Sequence, residues 1–125
     1  MKALIVDDEG EMRALLRKIL EIKEVSCTEA ANSQEAETAM ASESFDLVTT
    51  DLDMGPANAG IDVVHKAREI FGGTTYILVV SGDSDEELQR AILAGANASL
   101  RKPFHPADIF RVIESLESSP QKVAA

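Results

Sequence analysis

Tryptophan is absent from these 125 residues, tyrosine occurs once, and aromatic residues make up only 4% of the chain. A surface built to stack bases on aromatic rings is therefore excluded. Cysteine also occurs once, as Cys27, which rules out an internal disulfide and suits a reducing cytosol, with a buried structural thiol expected. Positive charge is scarce: 12 Lys and Arg stand against 22 Asp and Glu, a net charge of −10. Such a surface repels phosphate backbones and anionic lipid, so no direct nucleic-acid or membrane partner is expected. The longest apolar run, Tyr76 to Val80, is far too short to span a bilayer. The opening Met1 to Val6 runs straight into Asp7, unlike a secretory signal. These absences describe a cytoplasmic single-domain chain with room for one core.

What is present alternates between two periods. Ala3–Val6, Val25–Ala30, Phe45–Thr50, Tyr76–Val80 and Ala98–Leu100 are short apolar or β-branched runs that read as strands. Between them apolar residues recur at helical spacing: Met12, Leu15, Leu16, Ile19 and Leu20 in a helix over 11–23, then Ala36, Ala39 and Met40. Val63, Val64, Ala67, Ile70 and Phe71 mark a third helix, stopped by Gly72-Gly73; Leu88, Ala91 and Ile92 mark a fourth, ended at Gly95. Ile109, Val112, Ile113 and Leu116 mark a fifth, with Pro106 in its first turn and Phe104 packing back on Ile109. Asn32 or Ser33, and Asp83 or Ser84, are candidate helix caps. Five strand-then-helix units predict an α/β fold with a parallel sheet covered on both faces. Residues 1–118 form the expected domain and 119–125 a flexible tail.

In such sheets ligands bind at the carboxyl ends of the strands. Asp7-Asp8 follows the first strand, Asp51 the third, Ser81 the fourth and Lys102 the fifth. Three carboxylates in one pocket repel one another unless a counter-ion offsets them, and a hard divalent cation such as Mg2+ takes oxygen ligands of this kind. A carboxylate beside Mg2+ and an ammonium is arranged to attack phosphorus. Each piece has a plainer reading alone. Asp7-Asp8 can cap a helix, Asp51 and Ser81-Gly82 can be turn residues, and Lys102 can be a solvated charge. Their joint placement at one sheet edge favours the chemical reading. His65 and His105 read as surface residues.

Leu4-Ile5-Val6-Asp7-Asp8-Glu9, Asp51-Leu52-Asp53-Met54, Ser81-Gly82 and Lys102-Pro103-Phe104, in that order, resemble the receiver domain of two-component response regulators over about residues 2–117. The resemblance implies a flavodoxin-like doubly wound sheet of order 2-1-3-4-5 with five helices. It implies Asp51 as the phospho-acceptor, and Mg2+ held by Asp8, Asp51 and the Asp53 backbone carbonyl, with Asp7 acting through water. Lys102 and Ser81-Gly82 would contact the phosphoryl group, and the Lys102–Pro103 peptide is expected to be cis. A histidine kinase or histidine phosphotransfer protein is the implied donor. A protein effector, or an output domain in a longer chain, is the implied target, with a phosphorylation-dependent dimer as an option. Such a domain is a signalling switch, not an enzyme with a separate substrate.

Two features depart from that family's pattern. Gly55 stands where proline is usual, with Pro56 and Gly60 displaced, so the loop after the third strand carries one extra residue. Ser99 stands where the family has an aromatic ring three residues before the lysine. These departures leave open a receiver-like interaction module without phosphorylation. Asp51-Leu52-Asp53 also resembles the Asp-x-Asp motif of haloacid-dehalogenase-type phosphatases, but that reading leaves Asp7-Asp8 without a role.

Overall fold

The computed structural model describes residues 1–56 and 58–118; the expected tail, 119–125, lies outside the described residues. Five strands, β1 (Lys2–Val6), β2 (Ser26–Ala30), β3 (Leu47–Thr50), β4 (Tyr76–Ser81) and β5 (Ala98–Arg101), form one sheet of order β2-β1-β3-β4-β5. Every pairing is parallel. The helices are α1 (Gly10–Ile22), α2 (Ser33–Ser42), α3 (Ala59–Phe71), α4 (Asp85–Ala94) and α5 (Pro106–Glu117). This is the doubly wound flavodoxin-like arrangement the sequence predicts.

Alternation along each strand divides the core into two layers. Leu4, Val6, Val48, Ile77 and Val79 pack with α2, α3 and α4 residues such as Met40, Val64 and Leu88. Ala3, Ile5, Leu47, Leu78 and Val80 pack on the other face with Leu16, Ile19 and Leu20 of α1 and Ile109 and Ile113 of α5. Both faces are covered, which explains why Ala3–Val6 and Tyr76–Val80 read as unbroken apolar runs. Each fully buried aliphatic side chain contributes roughly 1.5–3 kcal/mol. Phe104 packs, partly buried, against the α1/α5 core layer that contains Ile109.

Caps set the helix starts. The Asn32 side chain accepts from Glu35 N at 2.8 Å, and Ser84 accepts from Glu87 N at 3.3 Å. His105 and Asp108 form a capping box ahead of Pro106, so His105 serves the helix end; His65 is exposed.

Three expectations need correction. Leu15 and Ile70 are 45% and 39% exposed, because each sits at the rim of its helix's apolar stripe and the facing layer is already filled. The third strand starts at Leu47, since buried Phe45 precedes the sheet ladder. Cys27 is half-buried on the edge strand, not enclosed. Partial desolvation still pushes its thiol up to about 11.

The loop between β3 and α3 turns with backbone at positive φ, at Gly55 (+97°) and Asn58 (65°). It closes against Gly60, whose N–H donates to Leu52 O at 3.3 Å. A side chain there would force the backbone to shift: a Cβ would lie 2.2 Å from Asp51 O and 2.4 Å from Leu52 Cα.

Candidate functional site

Because all five strands run the same way, their carboxyl ends share one edge, and that edge gathers the polar residues. Ladder-type hydrogen bonds fix their backbones: Asp7 N donates to Ala30 O, Asp51 N to Val6 O and Lys102 N to Ser81 O. Asp7 and Asp51 are buried, 1% and 6% exposed, while Asp8 is exposed. Carboxylate oxygens of Asp7, Asp8 and Asp51 lie within 4.8 Å of one another. Lys102 Nζ lies 3.0 Å from Asp7 Oδ2 and 3.3 Å from Asp51 Oδ2, spanning β5 to β1 across the sheet edge.

The electrostatics follow from this crowding. Burial drives the Asp7 carboxyl above the ordinary carboxylate range, and the Asp51 charge adds to it. The Glu9 N–H (2.9 Å) and Lys102 only partly oppose the shift. For Lys102, burial alone would lower the ammonium pKa, but the hydrogen bond to Asp7 and the charges of Asp51 and Asp7 outweigh it and leave it raised. The lysine is therefore a fixed cation between two carboxylates.

The cleft in front of these groups is lined by Asp8, Glu9, Asp51, Asp53, Gly55, Ser81, Gly82, Asp83 and Lys102. Five acids thus face one ammonium. Ser81 is buried with its Oγ accepting from Asp83 N at 3.3 Å, and Gly82 is exposed at the mouth. Asp53 is exposed, and its N–H donates to Asp51 Oδ1 at 3.3 Å. The Lys102–Pro103 peptide is cis. Ser99, opposite Val79 on β5, is half-buried and offers no ring. The donor set is all hard oxygen with surplus negative charge, which fits a small divalent cation.

The response regulator receiver domain family model matches residues 3–114. The chain belongs to that family. Among relatives, this receiver domain is 33% identical to the chemotaxis protein CheY of Halobacterium salinarum, over 92% of this chain and 95% of that protein. It is also 33% identical to the transcriptional regulatory protein ResD of Bacillus subtilis, over 92% of this chain but only 47% of that longer one. A CheY-like receiver domain structure from Methanospirillum hungatei superposes with a TM-score of 0.86 at 28% identity, covering 99% of this chain and 98% of that one. Receiver domains of response regulators are signalling switches whose expected chemistry is phosphotransfer. The family typically binds Mg2+ in an acidic pocket and is served by histidine kinases. Among the described residues no helix is long and apolar enough to cross a membrane.

Asp8, Asp51, Asp53, Ser81, Gly82 and Lys102, all singled out in the sequence, line one cleft, with Asp7 against Lys102; Ser99 and Phe104 lie apart from it. Three further residues escaped notice as site neighbours. Glu9 and Asp83 line the cleft, and Arg13 donates to the backbone oxygen of Asp7 at 2.6 Å. An arginine five residues past an acid pair carries no local signal of such a contact, because the reach depends on how α1 lies against the sheet.

Proposed function

We propose that this receiver accepts a phosphoryl group on Asp51 from the phosphohistidine of a histidine kinase or histidine phosphotransfer protein, and that the modified domain changes which proteins it binds. The observation that carries the reading is the Lys102 ammonium held between Asp7 and Asp51 with Asp8 alongside. Asp8, Asp51 and the Asp53 carbonyl would hold Mg2+, with Asp7 contributing through water. Bound there, the ion would supply positive charge against the phosphoryl oxygens. The Asp51 carboxylate attacks phosphorus, the P–N bond to imidazole breaks, and the leaving nitrogen keeps the electron pair. Lys102 stays protonated throughout and pairs with a phosphoryl oxygen. Ser81 and Gly82, which line the cleft, would turn a hydroxyl and an N–H toward that group. Pro103 sets the direction in which Lys102 leaves β5.

Residues 1–118 act as one cytoplasmic domain with no substrate other than its own aspartate. The effector is another protein, or an output domain in a longer chain, and phosphorylation-dependent dimers are a further possible output. Ser99 favours a second reading, an interaction module that works without phosphorylation, since no ring is available to swing inward.

Intact mass after incubation with Mg2+ and a small phosphoryl donor separates the two. One added phosphoryl group is expected, absent from Asp51→Asn and after chelation. An unmodified chain, both with that donor and with a phosphorylated histidine protein, would leave the interaction module as the better account.

A further inference from the structure

Asp8 is the exposed member of the acid trio, and among the described residues no hydrogen bond or ion pair holds its carboxylate. Its position therefore comes from its backbone. The peptide joining Asp7 to Asp8 is planar, so the direction of the Asp7 carbonyl also sets that of the Asp8 N–H and the exit of its Cα. That carbonyl is gripped by Arg13, whose Nη1 donates to it at 2.6 Å. Arg13 is in turn fixed from β2: its Nε donates to Glu29 Oε1 at 3.1 Å, while the other Glu29 oxygen takes Arg17 Nη1 at 2.7 Å. Arg17 is tied to the same strand through Cys27 O at 3.1 Å. The side chain of Arg13 is only 20% exposed. A charge-assisted bond to a carbonyl, braced at its far end by a carboxylate, is a stiff link.

We infer that Arg13, braced by Glu29, is a positioning residue that holds the Asp7–Asp8 peptide so that Asp8 faces the metal position. The inference rests on Asp8 being a metal ligand, as proposed above. Supporting groups of this kind typically change metal affinity 10- to 100-fold.

Calorimetric titration with Mg2+ tests it on the wild type, Arg13→Ala, Arg13→Lys, Glu29→Gln and Asp8→Asn, beside thermal unfolding of each metal-free protein. Arg13→Ala is expected to weaken Mg2+ binding about tenfold or more. Arg13→Lys should recover part of the loss, and Glu29→Gln should show a smaller one. Phosphorylation of Arg13→Ala should return toward the wild-type rate at saturating Mg2+. A lowered unfolding midpoint with unchanged Mg2+ affinity would overturn the inference and leave Arg13 a structural strut. Tighter binding by Arg13→Ala would overturn it too, since the site would then feel only the arginine's charge. If Arg13→Ala does not fold, Arg13→Lys and Glu29→Gln make the same comparison. A wild type that binds no Mg2+, or an Asp8→Asn protein that binds it normally, would remove Asp8 as a ligand. The underlying reading fails in that case, which is distinct from an unchanged Arg13→Ala.

Discussion

Gly60, in the first turn of α3, lies so close to Asp51, the proposed phospho-acceptor, that a single added carbon would sit 2.2 Å from that residue's backbone oxygen. Backbone, not a flexible side chain, occupies that space, so neither partner can give way cheaply.

Gly60→Ala should therefore lower stability by about 2–4 kcal/mol and abolish labelling of Asp51. Gly73→Ala, with nothing within 4 Å of the new carbon, should be close to neutral. Urea unfolding of the two variants checks the contrast; equal midpoints would mean that the β3–α3 loop relaxes freely.

Lys102 pairs with two of the acids proposed to bind Mg2+ directly or through water, so it competes with the ion for their charge. Lys102→Met should slow phosphoryl transfer about a hundredfold while binding Mg2+ at least as tightly as the wild type. Calorimetry beside a labelling time course separates the two effects. Weaker Mg2+ binding would show that the lysine organises the acids more than it opposes the ion.

Asp7 gives the metal-free protein a pH dependence whose sign follows from its raised pKa. An acid whose folded pKa lies above its unfolded value stabilises the fold fully below the unfolded value. That contribution is lost as pH rises through the folded one. Asp7→Asn should thus raise the metal-free unfolding midpoint at neutral pH by a few degrees and shrink the stabilisation gained on adding Mg2+. Scanning calorimetry with and without the ion reads both; a lower metal-free midpoint would show that the Asp7–Lys102 pair outweighs the burial cost.

Cys27, with its thiol at about 11, is almost wholly protonated at pH 8. Iodoacetamide should modify it roughly a hundredfold more slowly in the native protein than in urea, because only the thiolate reacts. Labelling should accelerate as pH approaches the raised value. The same shift implies stability that is complete below the ordinary thiol value of 9.0 and declines as pH climbs through about 11. Fast native labelling at pH 8 would show an open edge strand.

Much of this was legible in the chain because parallel sheets impose strong local signatures. A strand covered on both faces must be apolar throughout, so Ala3–Val6 and Tyr76–Val80 stand out without alignment. Strand ends must turn polar, so Asp7, Asp51, Ser81 and Lys102 announce an edge. Leu15 and Ile70 misled because a helical stripe shows which residues lie near the core but not how wide the facing layer is. The half-exposure of Cys27 was likewise hidden, since a strand's position at the sheet edge is a property of its neighbours.

Periodicity and turn chemistry act over a few neighbouring positions, so the chain alone specifies the helices, the strands, their parallel pairing and the residue types at the strand ends, whereas the strand order 2-1-3-4-5 followed from the family resemblance. Which atoms meet is set by tertiary packing: Lys102 between Asp7 and Asp51, Gly60 against the Asp51 carbonyl, and Arg13 bridging Glu29 to Asp7. Those contacts join residues from different elements. They depend on strand register and on how α1 and α3 lie against the sheet, quantities set by packing the whole core and written in no local stretch of chain.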